Sequence, residues 1–423
     1  MTGRGLILAA PGSGNGKTTL TLGLLRALQR RGTSVRGAKS GPDYIDPRFH
    51  EAACGRPCPN LDAWAMGPDR IAALAAGDGL LLIEGAMGLF DGAPPAGKGA
   101  TADLARLLGL PVVLVVDASH MAQSVAPLVA GFAAHDPQVR VAGVILNKVG
   151  SPRHEVMLRR ALAPLGLPVL GALHRTSGLA HPARHLGLVQ AGERDDLDSW
   201  LDQVADSVEA AVDLDALEIL AAPLPTPQTP PRLAPPGQRI AVACDRAFAF
   251  AYRHILADWQ AVGAEILLFS PLADQPPAPT ADFIFLPGGY PELHAGALAS
   301  ATAFRTGMTS ATCPVYGECG GYMVLGDGLI DADGSRHGML GRLRLETSFA
   351  TRKLHLGYRH ASAVAGPFAG RWLAHEFHYA TTLKAEGTPL FAATDSQGAA
   401  LPAQGLVQGR AAGSFLHLID RTP

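Results

Sequence analysis

The stretch "APGSGNGKTT", residues 10–19, lies between an apolar run and a helical pattern. The run "GLILAA" before it predicts a buried strand, and "LTLGLLRALQRRG" after it predicts a helix. Gly16, Lys17 and Thr18 form the core of a phosphate-binding loop, whose backbone N–H groups and helix N-terminus hold phosphates. Lys17 is expected to reach the terminal phosphates and Thr18 to hold Mg²⁺. Pro11 replaces the usual first glycine, but the strand–loop–helix context still predicts a nucleotide site.

The expected nucleotide contacts extend beyond the core of the loop. Asn147 and Lys148 follow the predicted strand "VAGVIL". An amide there is expected to bond an adenine edge, with a polar turn as the alternative. Partitioning ATPases of the ParA/MinD type carry an extra lysine where this chain has Gly12, which argues against that group. The predicted ATP-binding residues are Gly14, Gly16, Lys17, Thr18, Thr19 and Asn147.

Two further stretches supply carboxylates where a phosphate-loop fold needs them. "KSGPDYIDPRFH", residues 39–50, places Asp43 in a loop bounded by Gly and Pro. "LLLIEGAMGLFDG", residues 80–92, ends a buried strand with Glu84. Mg²⁺ prefers hard oxygen ligands and keeps some waters, so one or two carboxylates beside the loop threonine suffice. Asp117, at the end of "VVLVVD", is a rival ligand.

Other polar residues of this region are given structural roles. Asp46 and Asp91 are expected to cap a helix or hold a turn. His50, Cys54 and Cys58 are spaced by four, but a proline interrupts the helix and the spacing is not that of a metal site, so no such site is predicted.

Composition excludes several classes of protein. The chain has 423 residues, which predicts two or three domains. Net charge is −2, so no basic surface for nucleic acid or membrane is expected. No apolar run is long enough to span a bilayer. The N-terminus reads as a first strand rather than a signal peptide, so a cytoplasmic location with five free cysteines is expected.

A proline-rich segment divides the chain. "AAPLPTPQTPPRLAPPG", residues 221–237, is expected to be an extended linker between domains at 1–220 and 238–423. Continuous Val/Leu/Ile runs on both sides, such as "PVVLVVDAS" and "ADFIFLPGG", suit strands buried on both faces of parallel sheets. The predicted fold class is α/β, with two doubly wound domains.

A cysteine in a tight bend marks a second site. In "VYGECGGYMVLG", residues 315–326, the spacing around Cys319 is G-x-C-x-G, after a predicted strand and before a predicted helix. That is the layout of a nucleophile elbow, in which small neighbours allow a strained turn to expose a reactive side chain. A buried cysteine in a Gly-rich turn is the alternative.

A base and an oxyanion hole complete the expected thiol site. "GSFLHLID", residues 413–420, supplies His417 after an apolar strand, and it is preferred to His375 and His378 as the base that activates the thiol. "FIFLPGGYPELH", residues 283–294, ends a strand in a Gly-Gly turn. The backbone N–H of Gly289 or Tyr290, together with that of Gly320, is the predicted oxyanion hole, with Gly289 preferred.

These motifs carry a resemblance to known families. The C-terminal half resembles class I glutamine amidotransferases, and the N-terminal half resembles dethiobiotin synthetase-like ATP-dependent ligases. With "LGYRHA" and "HEFHYA" added, the whole chain resembles the cobyrinic/hydrogenobyrinic acid a,c-diamide synthase family of vitamin B12 biosynthesis. The sister family of cobyric acid synthases is longer and lacks "GPDYIDP".

The resemblance implies roles for individual residues. Cys319 is implied as nucleophile and His417 as its base. Thr18, Asp43 and Glu84 are implied around Mg²⁺, and the substrate carboxylate is expected near Asp43, Glu84 and Tyr44. Lys39, Arg48 and Arg153 are candidates to attract the polyanionic corrinoid. Many amidotransferases carry Glu two residues after the His, where this chain has Ile419; Asp420 is expected to point to the other face of the strand.

The resemblance also implies a two-site reaction. Cysteine releases ammonia from glutamine, ATP–Mg²⁺ activates a corrin acetate as an acyl phosphate, and ammonia displaces phosphate by an internal route between the domains. The reaction repeats at a second acetate, and the composition favours the cobalt-free corrin. A homodimer is a further expectation. The rivals are a ligase using free ammonia and a P-loop switch, each with a non-catalytic amidotransferase-like domain.

Overall fold

The computed structural model describes residues 3–176, 178, 190–228 and 232–422. The chain divides into two compact units, Met1–Pro230 and Pro231–Pro423. Each unit has its own central sheet with helices packed against it.

The first unit is built on a parallel sheet. Its strand order is β3-β2-β4-β1-β5-β6-β7, with a short antiparallel strand, β8, beside β1. The strands are β1 (Arg4–Ala9), β2 (Val35–Ser40), β3 (Asn60–Leu61), β4 (Leu80–Glu84), β5 (Val112–Asp117), β6 (Val141–Val149), β7 (Val169–His174) and β8 (Ala222–Pro223).

Sequence pattern explains most of these strands. β4 is buried along its whole length and β5 along all but its last residue, as expected where helices cover both faces of a parallel sheet. β2 reads "VRGAKS" and lacks an apolar run, yet four of its last residues are buried. β2 lies between β4 and β3 in the sheet, so it is buried by the elements around it and not because its own side chains are apolar.

Eight helices surround this sheet among the described residues. α1 packs against α7, and Gly23 permits the approach: a Cβ there would come within 2.6 Å of Val208 Cγ2. The helices are α1 (Lys17–Arg30), α2 (Asp46–Cys54), α3 (Pro68–Ala75), α4 (Thr101–Leu108), α5 (Val125–Ala134), α6 (Pro152–Leu162), α7 (Leu197–Ala211) and α8 (Leu214–Leu220).

The second unit has a six-stranded central sheet in the order β10-β9-β11-β12-β21-β20. All neighbours are parallel except β20 and β21. Its strands are β9 (Arg239–Ala243), β10 (Glu265–Phe269), β11 (Phe283–Leu286), β12 (Val315–Glu318), β20 (Leu406–Gln408) and β21 (Ala411–Ser414). Its helices are α9 (Arg253–Ala261), α10 (Ala295–Ser300), α11 (Thr302–Ser310) and α12 (Gly320–Leu325).

Two four-stranded sheets add to this unit, and the sequence reading did not anticipate them. One has the order β14-β13-β15-β18 and the other β19-β16-β17-β22. Their strands are β13 (Gly328–Ile330), β14 (Arg336–Gly338), β15 (Arg344–Ser348), β16 (His355–Ala363), β17 (Gly370–His378), β18 (Thr381–Glu386), β19 (Ala392–Asp395) and β22 (Leu416–Arg421). The second of these sheets matters for function, because β22 carries His417.

The expected linker is ordered at both described ends. Ala222 and Pro223 pair with β1, and Leu224 donates its backbone N–H to Gly3 O at 2.9 Å. At the other end, Leu233 donates its backbone N–H to Asp258 Oδ2 at 2.9 Å. Residues 229–231 of the predicted linker lie outside the described residues. The domain limits at 220 and 238 stay predictions. Backbone hydrogen bonds of Leu224 and Leu233 hold the two described ends of the segment.

Within the described residues, no helix is long and apolar enough to cross a membrane.

Candidate active sites

The phosphate loop of the first unit joins the end of β1 to the start of α1. Gly14 and Gly16 take positive φ, 79° and 85°, and a Cβ at Gly16 would lie 2.2 Å from Asn147 Nδ2. Only glycine fits this second position, because both the backbone conformation and the space exclude a side chain. Lys17 is buried, and its ammonium donates to the carbonyl oxygens of Gly12 and Met87. Burial lowers the pKa of Lys17 to about 8.

The turn after β6 braces this loop. Asn147 Nδ2 donates to Asn15 O at 2.9 Å. Lys148 Nζ donates to Gly14 O at 3.0 Å and to Asp117 Oδ2 at 2.6 Å. The alternative of a structural polar turn therefore describes the contacts of Asn147, and its bond to an adenine edge stays a prediction. Asp117, the rival metal ligand, is paired with Lys148 rather than with the loop threonine.

Glu84 is the centre of a buried cluster at the carboxyl ends of β1, β2 and β4. Thr18 Oγ1 donates to Glu84 Oε1 at 2.6 Å, and Lys39 Nζ donates to the same oxygen at 2.8 Å. His50 Nε2 lies 2.7 Å from Glu84 Oε2. Burial alone would raise the pKa of Glu84, but Lys39 and His50 outweigh it and hold that pKa well below its usual range. The cluster therefore keeps an ionised carboxylate beside the phosphate loop.

Asp43 and Asp46 have different surroundings, and the metal role expected of Asp43 stays a prediction. Asp43 Oδ1 accepts the backbone N–H groups of Ile45 at 2.7 Å and of Asp46 at 3.0 Å, so it holds the turn that opens α2. Asp46 was expected to hold a turn, and that expectation is corrected: its carboxylate is ion-paired with Lys39. Burial and the neighbouring Asp43 raise the pKa of Asp46 to about 7. Asp46 is the first residue of α2, and its side chain joins the charged cluster instead of capping the helix.

The oxygen donors of this cluster fit Mg²⁺. Thr18 offers a hydroxyl and Glu84 a carboxylate within hydrogen-bond distance of each other, and both are the hard ligands that Mg²⁺ prefers. Asp43 lies on the same loop as Tyr44, which is buried. Asn60 Nδ2 fixes that loop by donating to the carbonyl oxygen of Asp43 at 2.7 Å.

The basic residues expected to attract substrate have different surroundings. Lys39 is buried between two carboxylates, and these raise its pKa although burial alone would lower it. Arg48 pairs with Glu51 at 3.1 Å, and Arg153 is exposed at the start of α6. Contact between any of them and substrate stays a prediction. Thr19 lies in the first turn of α1 beside the loop.

His50, Cys54 and Cys58 do not converge on one point. The sulfurs of Cys54 and Cys58 lie 3.6 Å apart, whereas His50 Nε2 faces Glu84.

The elbow of the second unit has the strained geometry that its sequence predicts. Cys319 follows β12, precedes α12 and takes φ 45° and ψ −104°. Gly321 must lack a side chain, because a Cβ there would lie 2.0 Å from Leu286 O. Cys319 N donates to Ser414 O at 2.8 Å, which ties the elbow to the neighbouring β21. The small neighbours thus allow a backbone conformation that costs free energy.

His417 and Cys319 both lie next to Gly288. A Cβ built on Gly288 would come within 2.3 Å of His417 Cε1, 3.1 Å of His417 Nε2 and 3.3 Å of Cys319 Cβ. The Cε1–Nε2 edge of the imidazole therefore faces the cysteine side of the site. Burial and the nearby His375 and His378 hold the pKa of His417 well below its usual value, so its imidazole is neutral and able to accept a proton.

The other two candidate bases are engaged elsewhere. His378 Nδ1 donates to Ala380 O at 3.1 Å, and its Nε2 lies 3.2 Å from Glu376 Oε1. His375 is paired with His417 in the register of β17 and β22, and burial lowers its pKa to about 4. The choice of His417 over these residues as the base stays a prediction.

The predicted oxyanion hole brings two backbone amides together. A Cβ built on Gly320 would lie 3.0 Å from Gly289 N, so the Gly-Gly turn after β11 meets the first residue after the thiol. Burial and the carboxylate of Glu292 raise the pKa of Cys319 far above its usual value. A thiol in this environment needs a base and a preorganised anion site before it can react.

One cluster of possible metal donors occurs among the described residues, formed by His355, Glu376 and His378. The rings of His355 and His378 stack with 4.5 Å between centroids and 7° between planes. The lone pairs of parallel imidazoles lie in separate planes and do not converge on one ion. Glu376 is already paired with Arg359 at 2.8 Å.

Comparison with known proteins matches both units. Residues 6–189 match the family described as the CobQ/CobB/MinD/ParA nucleotide binding domain, and residues 239–422 match the CobB/CobQ-like glutamine amidotransferase domain. A hydrogenobyrinate a,c-diamide synthase from Sinorhizobium sp. is 55% identical, with 98% of each chain covered. The enzyme of that name from Rhizobium meliloti is 55% identical, covering 98% of this chain and 99% of the relative. The one from Rhodobacter capsulatus is 53% identical, with 98% of each covered.

The chain belongs to the hydrogenobyrinate a,c-diamide synthase family. The family expected from the sequence is thereby confirmed, as is the α/β fold with a phosphate-loop unit followed by an amidotransferase unit. The individual roles of the site residues stay predictions.

Sequence reasoning missed two residues that the structure brings into the sites of this family member. His50 was considered only with the cysteines, yet it contacts Glu84. Glu318 went unconsidered, although its Oε2 lies 3.7 Å from His417 Nδ1. Its signal was present: a carboxylate occupies the last position of a buried strand, directly before the reactive cysteine.

Proposed function

We propose that the protein catalyses the ATP- and glutamine-dependent amidation of the a and c acetate groups of hydrogenobyrinic acid. The observation that carries the proposal is that each unit holds its reactive side chains together. In one, Thr18 and Glu84 meet at the phosphate loop; in the other, Cys319 and His417 meet at Gly288. Relatives that match nearly the whole chain bear the name of this activity.

At the thiol site, His417 Nε2 takes the proton of Cys319 as the sulfur attacks the side-chain amide carbon of glutamine. The backbone N–H groups of Gly289 and Gly320 receive the developing oxyanion. The proton passes from the imidazolium to the leaving nitrogen, so ammonia departs and a thioester remains. Water then attacks the thioester, with His417 as base, and releases glutamate and the thiol.

At the phosphate loop, backbone N–H groups and Lys17 hold the triphosphate. Thr18, Asp43 and Glu84 would hold Mg²⁺ beside ATP, and the ion would neutralise phosphate charge. Lys39 keeps Glu84 ionised and in place, and the loop of Asp43 and Tyr44 orients the acetate for attack on the γ-phosphate. An oxygen–phosphorus bond forms as ADP leaves. Ammonia then attacks the acyl carbon and phosphate departs, which leaves the amide.

The proposal includes a cytoplasmic location, because the reaction needs ATP and a reduced thiol, and a homodimer as the assembly. We expect the pure protein, ATP, Mg²⁺ and glutamine to convert hydrogenobyrinic acid first to a monoamide and then to a diamide, detected by mass spectrometry. Cobyrinic acid, tested in parallel, reports whether cobalt is tolerated. Synthesis from ammonium but none from glutamine by the untreated protein would support the free-ammonia ligase instead. Hydrolysis of ATP with no amidation of either corrinoid would contradict the proposal.

A further inference from the structure

The thiol site lacks a glutamate two residues after its histidine, the position at which many amidotransferases carry the third residue of the site. Ile419 occupies the position two residues after His417, and its side chain is fully buried in the core. Its carbonyl oxygen accepts a hydrogen bond from His254 Nε2 at 2.8 Å. Asp420 Oδ1 accepts the backbone N–H of Arg421 at 2.9 Å. Ile419 has no carboxylate, and the carboxylate of Asp420 bonds to the neighbouring backbone.

Glu318 faces that side from a different strand. Its Oε2 lies 3.7 Å from His417 Nδ1, at ion-pair distance and slightly longer than a hydrogen bond. Its Oε1 accepts the backbone N–H of Leu418 at 3.3 Å, which anchors the carboxyl group to the strand that carries the histidine. Both side chains are almost completely buried. Catalytic hydrogen bonds are often long in the unliganded state and tighten when substrate binds.

The two ring nitrogens of His417 therefore face two different partners. Nδ1 faces Glu318, while the Cε1–Nε2 edge lies against Gly288 on the cysteine side. We propose that Glu318, the residue directly before the thiol, is the positioning residue for His417, in the role of a carboxylate that Ile419 cannot supply. This inference rests on the proposed glutaminase reaction.

The chemistry requires a carboxylate at this place. A neutral imidazole accepts the thiol proton at Nε2 only when its own hydrogen is on Nδ1, and an acceptor beside Nδ1 favours that tautomer. When the thiol proton arrives, the imidazolium is buried, and an anion beside Nδ1–H stabilises it. Glu318 ends β12 and Cys319 follows it directly, so the base-orienting and nucleophilic groups belong to adjacent residues.

Glu318→Gln tests the inference, since it keeps the size of the side chain and an oxygen for Leu418 N–H. Its glutaminase kcat is expected to fall about 10- to 100-fold, the effect of losing one charge-assisted hydrogen bond. KM for glutamine is expected to change little, and synthesis from ammonium is expected to stay at the wild-type level. Glu318→Asp, which restores the charge, is expected to recover part of the loss. Asp420→Asn is the matched control and is expected to match the wild type.

A second readout needs neither glutamine nor corrinoid. The rate at which iodoacetamide alkylates Cys319, followed by peptide mass mapping, is expected to fall in Glu318→Gln and not in Asp420→Asn. This readout remains valid if the wild type fails to amidate any corrinoid, so failure of the proposed function is distinguishable from failure of this inference. Wild-type alkylation and glutaminase rates in Glu318→Gln would overturn it. So would an equal loss of ammonia-dependent synthesis, which would mark a general structural defect.

Discussion

Glu84 holds a buried cluster of side chains together and also faces the phosphate loop. Its carboxylate accepts from Thr18 and Lys39 and contacts His50, so none of these groups can move alone. A buried carboxylate is stable only when it is paired and hydrogen-bonded, and here the partners are also the groups that the phosphate site uses. Replacement of Glu84 therefore affects both charge and geometry.

We expect Glu84→Gln to lower ATP-dependent formation of the acyl phosphate by about 10²-fold, because the site loses its hard anionic ligand and the partner of Lys39. The measurement is ADP release with corrinoid present and saturating ammonium. Glutamine hydrolysis by Cys319 is expected to persist. Asp69→Asn, an exposed carboxylate at the start of α3, is the control. Normal ADP release from Glu84→Gln would exclude Glu84 from the metal site.

The pH dependence of the thiol site belongs to Glu318. Burial raises the pKa of Glu318 to about 8, so its carboxyl group ionises as the pH rises through that value. Ionisation supplies the anion beside His417 Nδ1, and kcat/KM for glutaminase, which reports groups of the free enzyme, is expected to rise through pH 8. In Glu318→Gln that rise is expected to disappear. A wild-type profile that is flat from pH 7 to 9 would contradict this assignment.

Other groups around the thiol titrate outside that window or are paired. Burial keeps the pKa of Tyr316 well above its usual value, burial lowers that of His375 to about 4, and Cys319 stays a thiol across the range. Burial alone would raise the pKa of Glu376, but His378 and Arg359 hold that pKa below its usual value. Glu292 also lies near Cys319, and His378 lies near His417.

At the scale of elements, the turn from β12 into α12 decides whether the thiol is presented. Four groups fix it: the strand before it, the helix after it, the Ser414 carbonyl that accepts from Cys319 N, and the Leu286 carbonyl packed on Gly321. The conformation of Cys319 is unfavourable for a residue with a side chain, so neighbouring contacts must hold it.

Gly321→Ala is expected to destabilise the second unit by about 1–3 kcal/mol, because its Cβ would overlap Leu286 O and backbone cannot easily move away. Glutaminase activity should fall with it. Gly338→Ala in β14 is the matched control, since nothing lies within 4 Å of its Cβ. Denaturant unfolding followed by a probe in the second unit measures the difference. Equal stability of the two variants would show that the elbow relaxes around a methyl group.

At the scale of the whole molecule, the two half-reactions reside in separate compact units of one chain. Cys319→Ala removes the only group that can form the thioester, whereas the phosphate site belongs to the other unit. We expect this variant to lose glutamine-dependent synthesis by more than about 10³-fold and to retain synthesis from ammonium. Mass spectrometry of the corrinoid product measures both. Equal loss of the two activities in a folded Cys319→Ala would end the two-site scheme.

The sequence determined the elements whose signals are local. Gly16 and Lys17 follow a buried strand and open a helix, and the small residues around Cys319 admit one sharp turn, so both motifs could be placed without coordinates. Strand β2 could not be predicted from its own residues, because they form no apolar run and neighbouring elements bury the strand.

Tertiary structure alone decided which distant side chains meet. Asp43 and Asp46 are of the same residue type and three positions apart. Asp43 nevertheless accepts backbone N–H groups at the start of α2, whereas Asp46 forms an ion pair with Lys39. His417 reaches Glu318 only because β22 and β12 belong to sheets that bring residues a hundred positions apart within ion-pair distance. Residue types and spacing therefore predicted the nucleophile, whereas its surroundings depend on long-range strand packing, which has no local signature in the chain.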